Sequence, residues 1–247
     1  MNAYKTMLKT ELKLSVRGMD MVIFAICMPL IITIILGILY GEKPAFEGAS
    51  YSFFAQSFAA MPSISICAGG VMGLPLVVSD YRNKRILKRF QVTPVSPTVI
   101  LAVQVTIYTL YSVVSFLSTY TTASIFFGYR MDGSWNQFFG GYLLVLISIF
   151  SIGMMVGGIS PNAKIASIIA SLLYFPMLIF SGATLPYEVM PNALQKAADI
   201  MPLTQGIKLL KAASLGIAVD NVLFPLFFLI ILAICCITVS IRYFRWE

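Results

Sequence analysis

The chain has 247 residues, of which 59% are hydrophobic and 11% charged, and its mean hydropathy is +0.89. This composition excludes an ordinary soluble domain. The chain has no histidine, and its four cysteines all lie in apolar stretches, so we expect no metal site.

Six long stretches of the chain contain no charged side chain. The shortest has 21 residues, and they cover 21–41, 48–79, 90–129, 133–163, 165–187 and 221–241. A helix needs about 20 mostly apolar residues to cross the hydrocarbon core of a bilayer. The sequence therefore predicts an all-α integral membrane protein with six transmembrane helices, which we number span 1 to span 6. Residues 1–247 are expected to form a single membrane domain.

The distribution of charge between the connecting segments predicts the orientation. An even number of spans puts both termini on one side, together with the loops after spans 2 and 4. That side carries twelve cations and four acids, a net charge of +8, whereas the opposite side has a net charge of −1. By the positive-inside rule, both termini of this multi-pass protein are expected in the cytoplasm. We assign the basic character to topology and to the lipid bilayer, and expect no nucleic-acid partner.

Residues 4–18, ahead of span 1, have the pattern of an amphipathic helix. Lys5, Lys9, Lys13 and Arg17 recur every four residues, and an apolar side chain precedes each of them. This pattern favours an interfacial helix with its cations at the lipid headgroups. The alternative is a solvated, charged lead-in to span 1.

The loop 80–98, between spans 2 and 3, is predicted to contain a short amphipathic helix. Three arginines share one helical face, and Ile86, Leu87 and Phe90 form an apolar patch on another. Large apolar groups in a loop that faces water suit the docking of a soluble partner. The alternative is anchoring by positive charge alone. Pro97, which follows Ser96, is expected to begin span 3.

The segment 182–220, before span 6, is predicted to form short helices. Pro186, Pro191 and Pro202 divide it, and apolar residues follow helical spacing in two of the pieces. Thr204 is the expected cap of the second helix and Gly216 its expected end. Helices this short cannot span a bilayer, so we expect them to be interfacial or re-entrant.

Inside the spans, pairs of glycines four residues apart predict close helix packing, at Gly37/Gly41, Gly69/Gly73 and Gly153/Gly157. Prolines such as Pro29 and Pro75 are expected to loosen their spans. Polar side chains in spans 2 and 3 either face a cavity or form hydrogen bonds between helices. No ionisable Asp, Glu, Lys, Arg or His lies within a span, and the sequence has no P-loop pattern. We therefore expect no enzyme activity, and a transporter of this kind must draw its energy from another subunit.

Two motifs resemble a known family. Residues 81–97, YRNKRILKRFQVTPVSP, resemble the cytoplasmic loop of ABC-2 type permeases, the membrane subunits of bacterial ABC exporters of the drug-resistance (daunorubicin-like) kind. Residues 181–191, SGATLPYEVMP, followed by MPLT at 201–204, resemble the motif that precedes the last span in that family. The loop departs from the family pattern at Asn83, Arg85 and Ile86, where Glu, Gly and Thr are common, so it is more basic than usual.

This resemblance implies an ABC-2 exporter fold and a set of roles. Residues 80–93 would be a cytoplasmic coupling helix that docks an ABC ATP-binding subunit, through Arg82, Arg85, Ile86, Leu87, Lys88, Arg89 and Phe90. Spans 2 and 5 would line the translocation path, with Gln56, Ser57, Met61, Ser63, Tyr174 and Pro176 as candidates. Two permeases, identical or sister chains, would pair with two ATP-binding subunits in a bacterial inner membrane. ATP and Mg would bind to the partner, so this chain itself would hold no cofactor.

The function implied by the resemblance is the ATP-driven export of an amphiphilic or hydrophobic compound, such as a drug, an antibiotic, a peptide or a lipid-like molecule. The alternative is an energy-independent membrane channel, a scaffold or a sensor partner, in which the interfacial helices serve assembly. A membrane-embedded enzyme is a third possibility, but the sequence offers no catalytic constellation for it.

Overall fold

The computed structural model describes residues 3–41, 43–45, 51–84, 97–182, 187, 190–216 and 222–243. These residues form helices α1 to α9, at Ala3–Gly18, Asp20–Tyr40, Phe53–Asn83, Pro97–Phe127, Trp135–Ile159, Ala163–Phe180, Asn192–Asp199, Pro202–Leu215 and Leu223–Tyr243. Six of them, α2 to α6 and α9, are long and apolar enough to cross a membrane. The prediction of an all-α protein with six spans is therefore confirmed, and span 3 begins at Pro97 as expected.

Helix α3 (span 2) lies at the centre of the protein. Every residue from Phe58 to Val71 is buried, whereas α2, α6 and α9 expose long apolar side chains such as Ile38, Leu172 and Ile231. Exposure of these apolar side chains is unfavourable in water but expected against lipid tails, which are themselves apolar. The helix satisfies its backbone polar groups internally, so its outer surface needs no polar side chains. The pattern of burial thus separates a packed interior from a surface suited to the hydrocarbon core.

Close packing between α3 and α5 depends on small residues. A Cβ atom added to Gly153 would overlap the backbone carbonyl oxygen of Gly70, and one added to Gly157 would lie 3.1 Å from the Cα of Pro75. Glycines let two helix backbones approach closely without a side chain between them. The predicted packing role of the Gly153/Gly157 pair is confirmed.

Two spans contain π-helical segments, Ile23–Cys27 in α2 and Ala68–Gly73 in α3, and these segments contact each other. Each ends two residues before a proline, Pro29 or Pro75. Proline lacks an N–H group and its ring clashes with the carbonyl of the preceding turn, so the helix widens there. The predicted loosening of these two spans is confirmed at both positions.

Helix α8 is inserted among the spans rather than lying on their surface. All of its residues except Lys208 and Lys211 are buried, and it packs against α3, α5, α6 and α9. Gly216 ends α8 in a left-handed conformation with φ of 64°, as predicted. The predicted cap was wrong: α8 begins at Pro202, with Met201 as its extended N-terminal residue, so Thr204 lies inside the first turn. Proline, with its φ already near the helical value, starts the helix earlier than the threonine.

The predicted orientation can be tested on the exposed start of α7. In a background without the native cysteines, Asn192→Cys is expected to react with a membrane-impermeant thiol reagent on intact cells, because the less basic side of the protein faces outward. Lys164→Cys, in the exposed first turn of α6 on the opposite side, is the matched control. It should react only after permeabilisation, and the reverse pattern would show that both termini lie outside.

Candidate functional site

Two cavities lie at opposite ends of α3, and we name them for the predicted orientation. The outer cavity has a volume of about 350 Å³ and lies between α3, the end of α6 and α8. The inner cavity has a volume of about 550 Å³ and is lined by residues of α1, α2, α3, α4 and α6. Helix α3, which is span 2, contributes described residues to both cavities, whereas α6 lines the inner cavity and is followed directly by Ser181 and Gly182 on the lining of the outer one.

The outer cavity is lined by polar groups on apolar walls. Gln56 and Thr204 are buried on its lining, and neither Gln56 Oε1 nor Thr204 Oγ1 has a hydrogen-bond partner among the described residues. Lys208 also lines this cavity, and its Nζ lies 2.5 Å from Asp199 Oδ1 and 4.2 Å from the centre of the Tyr187 ring. Buried acceptors without partners are costly, so they are positions where a ligand or water gains hydrogen bonds.

Tyr187 connects the outer cavity to α7. Its hydroxyl donates a hydrogen bond of 2.9 Å to Asp199 Oδ1. Burial, and then this hydrogen bond to a carboxylate, raise the pKa of Tyr187 above its usual value. The phenol therefore remains a neutral donor throughout the physiological range.

The inner cavity is lined by three of the four acidic residues of the predicted cytoplasmic side. Glu11 from α1, Asp20 from α2 and Asp80 from α3 all lie on its lining. The cavity is bordered by both π-helical segments, through Phe24 in α2 and Met72 in α3. Single π-helical turns within α-helices occur frequently at functional sites. The widened backbone of α2 and α3 thus coincides with the larger of the two cavities.

A closed barrier separates the two cavities. It consists of the α3 segment Met61–Cys67, in which every side chain is buried. Ser63 satisfies its hydroxyl within α3, through a 3.0 Å hydrogen bond to the carbonyl of Ala59. One cavity thus lies on each side of a packed segment of span 2.

The structure disperses the six predicted path residues. Gln56 and Ser57 line the outer cavity, and Tyr174 lines the inner one. Met61 and Ser63 belong to the buried segment between the cavities. Pro176 lines neither cavity and lies in an open groove on α6 with Ser171 and Leu172. Their role in translocation stays a prediction. The acids of the inner cavity were not among the predicted site residues, although Glu11, Asp20 and Asp80 are three of only four acids on the predicted cytoplasmic side.

Helix α1 is attached to the spans by side-chain hydrogen bonds. Glu11 Oε2 accepts bonds from the Tyr81 hydroxyl at 2.5 Å and from Gln104 Nε2 at 3.0 Å. Near the two ends of α1, Tyr4 and Thr106 share a 2.6 Å bond, and Ser15 and Tyr111 share one of 2.9 Å. The predicted helix over 4–18 is present, and it is docked along α4; its depth in the membrane interface stays a prediction.

The end of α3 is connected to three different neighbours by consecutive residues. Asp80 forms a 2.8 Å ion pair with Lys84, which leads into the loop, and Tyr81 contacts α1 through Glu11. Arg82 donates to the carbonyl oxygen of Gly158 at 2.9 Å and to that of Ser160, at the end of α5. Because charged side chains are rarely buried unless paired or hydrogen bonded, these carbonyls explain how the guanidinium is tolerated.

This burial corrects one expectation of the sequence analysis. Arg82 is one of the predicted docking residues, which are expected to be exposed, but only 5% of the residue is exposed. Its docking role stays a prediction. The helical spacing of residues 82, 85 and 89 does not indicate that Arg82 contacts the end of α5. The other docking candidates, Arg85, Ile86, Leu87, Lys88, Arg89 and Phe90, lie outside the described residues.

Six helices that can span a membrane, a docked N-terminal helix and a buried short helix before the last span are the features of a multi-pass membrane protein. A family model for ABC-2 type transporters matches residues 2–215. The chain belongs to the ABC-2 type transporter family and is a membrane transporter subunit.

Curated relatives agree with this assignment. The chain is 26% identical over 162 residues to the inner membrane transport permease YhhJ of Escherichia coli (strain K12), an alignment that covers 65% of this chain and 43% of the relative. It is 33% identical over 76 residues to Nodulation protein J of Rhizobium leguminosarum bv. viciae, covering 31% of this chain and 29% of the relative. The matched region thus spans less than half the length of each relative. No solved structure matches the chain.

Proposed function

We propose that this chain is the permease of an ATP-driven exporter that moves an amphiphilic or hydrophobic compound out of a bacterial cell. A separate ATP-binding subunit supplies the energy, and a second permease, identical or a sister chain, completes the transporter. The observation that carries this proposal is the pair of cavities along α3, separated by the buried segment Met61–Cys67. Such an arrangement suits alternating access, in which a substrate site opens to one side at a time.

The cavity linings suit an amphiphilic compound. The inner cavity combines apolar side chains, including Phe24, Met72 and Phe175, with a small number of polar groups. Binding sites for small molecules are typically of this kind, with volumes of roughly 300–1,000 Å³. A compound that enters from the inner leaflet or the cytoplasm would bind here, and movement of α3 relative to α6 would open the barrier.

The end of α3 supports a coupling role for residues 80–93. A force applied to this loop acts directly on Asp80, Tyr81 and Arg82. It reaches α1 through the Tyr81–Glu11 hydrogen bond and α5 through the hydrogen bond from Arg82 to Gly158. Because α3 also contains the segment between the two cavities, the loop that would dock the ATP-binding subunit follows directly on the helix that must move. We propose that nucleotide-driven motion of the partner reaches the barrier by this route.

The proposal predicts that ATP turnover requires the partner. The purified chain is expected to hydrolyse no ATP, whereas its complex with the ATP-binding subunit should hydrolyse ATP and transport substrate into inverted vesicles. A complex whose ATP-binding subunit lacks its P-loop lysine is the control, because that lysine contacts the nucleotide phosphates. Transport that persists in this control would support an energy-independent channel and contradict the proposal.

The docking interface is predicted to depend on apolar anchors. Burial of a large apolar side chain contributes about 1.5–3 kcal/mol, whereas an exposed ion pair contributes about 0–1 kcal/mol. The double variant Leu87→Ala, Phe90→Ala is therefore expected to release the ATP-binding subunit or to uncouple hydrolysis from transport, with membrane insertion unchanged. The control is Lys88→Gln with Arg89→Gln, which should weaken the complex less, and mainly at low salt. If the Leu87→Ala, Phe90→Ala variant copurifies with the ATP-binding subunit and transports normally, the loop does not dock that subunit through apolar anchors. The loop would then serve only to anchor the chain by its positive charge.

A further inference from the structure

We infer that the inner cavity is a binding site for organic cations. This inference rests on the proposed export function and adds the substrate class. It depends on the charges on the described inner lining, on a buried hydroxyl without a partner among the described residues and on the aromatic wall of the same cavity.

The charged side chains on the described lining of the inner cavity are all carboxylates, from Glu11, Asp20 and Asp80. Asp80 is offset by its 2.8 Å ion pair with Lys84. Glu11 receives hydrogen bonds from the neutral groups of Tyr81 and Gln104, which do not cancel its charge. Asp20 is exposed in the first turn of α2. The described part of the lining therefore has a net negative charge beside apolar walls.

A second observation points to a ligand in this cavity. Tyr174 lines it with only 4% of the residue exposed, and its hydroxyl oxygen has no hydrogen-bond partner among the described residues. A buried polar group without a partner requires an explanation, and a bound ammonium or other donor would supply one. Phe24, Tyr108 and Phe175 add aromatic rings to the same lining. Aromatic faces attract organic cations, most strongly where water is excluded.

The test compares two ions of nearly equal shape and opposite charge, tetraphenylphosphonium and tetraphenylborate. The readout is local: Met72→Cys on the inner lining, in a full-length chain without its native cysteines, is alkylated in detergent with and without each ion. Tetraphenylphosphonium is expected to protect this thiol at lower concentration than tetraphenylborate. Asp20→Asn should raise the protecting concentration of the cation roughly tenfold, and less at high salt.

Two controls make the result specific. Asp132→Asn removes an equivalent exposed carboxylate outside both cavities and should leave protection unchanged. Asp20→Glu keeps the charge and should retain protection, which excludes simple misfolding of the position-20 variant. Equal protection by both ions, or an unaltered response of Asp20→Asn, would overturn the inference.

Failure of this inference is distinguishable from failure of the proposed function. If the complex with its ATP-binding subunit transports compounds regardless of their charge, export stands and cation selectivity is wrong. If protection is selective for the cation but no ATP-binding subunit associates with the chain, the binding site stands and the proposed ATP-driven export is wrong.

Discussion

Replacement of Gly153 by alanine is expected to prevent α5 from packing on α3 and to leave little folded protein in the membrane. The added methyl group would meet the carbonyl oxygen of Gly70, which is backbone and cannot rotate away. Gly70 itself lies in the π-helical segment that borders the inner cavity, so the displaced helix would also distort that cavity. Overpacking typically costs about 1–3 kcal/mol, and a clash of the added methyl group with a backbone carbonyl should exceed this range. The measurement is the yield and thermal stability of monodisperse protein in detergent.

The same helix supplies a matched control. Gly140, in the exposed first turns of α5, has no atom within 4 Å of the position that a Cβ would occupy. Gly140→Ala makes the same chemical change and should leave both yield and stability close to those of the wild type. Equal effects of the two substitutions would show that the α3–α5 contact is looser than the structure indicates.

Loss of the Arg82 side chain is expected to have the second largest effect. Arg82→Met keeps the apolar length of the side chain but removes the donors that reach Gly158 and Ser160. Hydrogen bonds from a charged group contribute about 1.5–3 kcal/mol each, so the free energy of unfolding should fall by roughly 3 kcal/mol. Because Arg82 joins α3 to the end of α5, we also expect the complex to hydrolyse ATP with reduced transport per ATP.

Two further substitutions separate charge from geometry at this position. Lys84→Met removes a neighbouring cation whose side chain is 65% exposed, and breaking its surface ion pair with Asp80 should cost no more than about 1 kcal/mol. Arg82→Lys retains the charge but not the planar fork of donors, so we expect an intermediate loss of stability. A stability of Arg82→Met equal to that of Lys84→Met would contradict the structural role of the buried guanidinium.

The sequence alone determined the class of protein and the course of the chain. Six runs without charge predict six spans, because placing a charged side chain in hydrocarbon costs free energy and spans therefore lack charge. This pattern depends on the length and composition of each run and not on how the helices pack. Helix ends with strong local signals were also predictable. Pro97 begins span 3 and Gly216 ends α8, since each conformation depends on the residue itself. The position of Thr204 was missed because a proline two residues earlier begins the same helix.

Only the tertiary structure decided where the functional groups meet. Glu11, Asp20 and Asp80 belong to three helices, and no spacing along the chain shows that they line one cavity. Arg82 has the same helical spacing as the arginines of the loop, yet it is buried because the end of α5 presents two carbonyl groups to it. Gln56, Ser57, Met61 and Ser63 all belong to span 2 and were all predicted to line the path. A cavity opens beside Gln56 and Ser57, whereas other helices pack around Met61 and Ser63. Hydrophobic patterning fixes which segments enter the bilayer, whereas the contacts between helices fix which of their faces enclose a cavity.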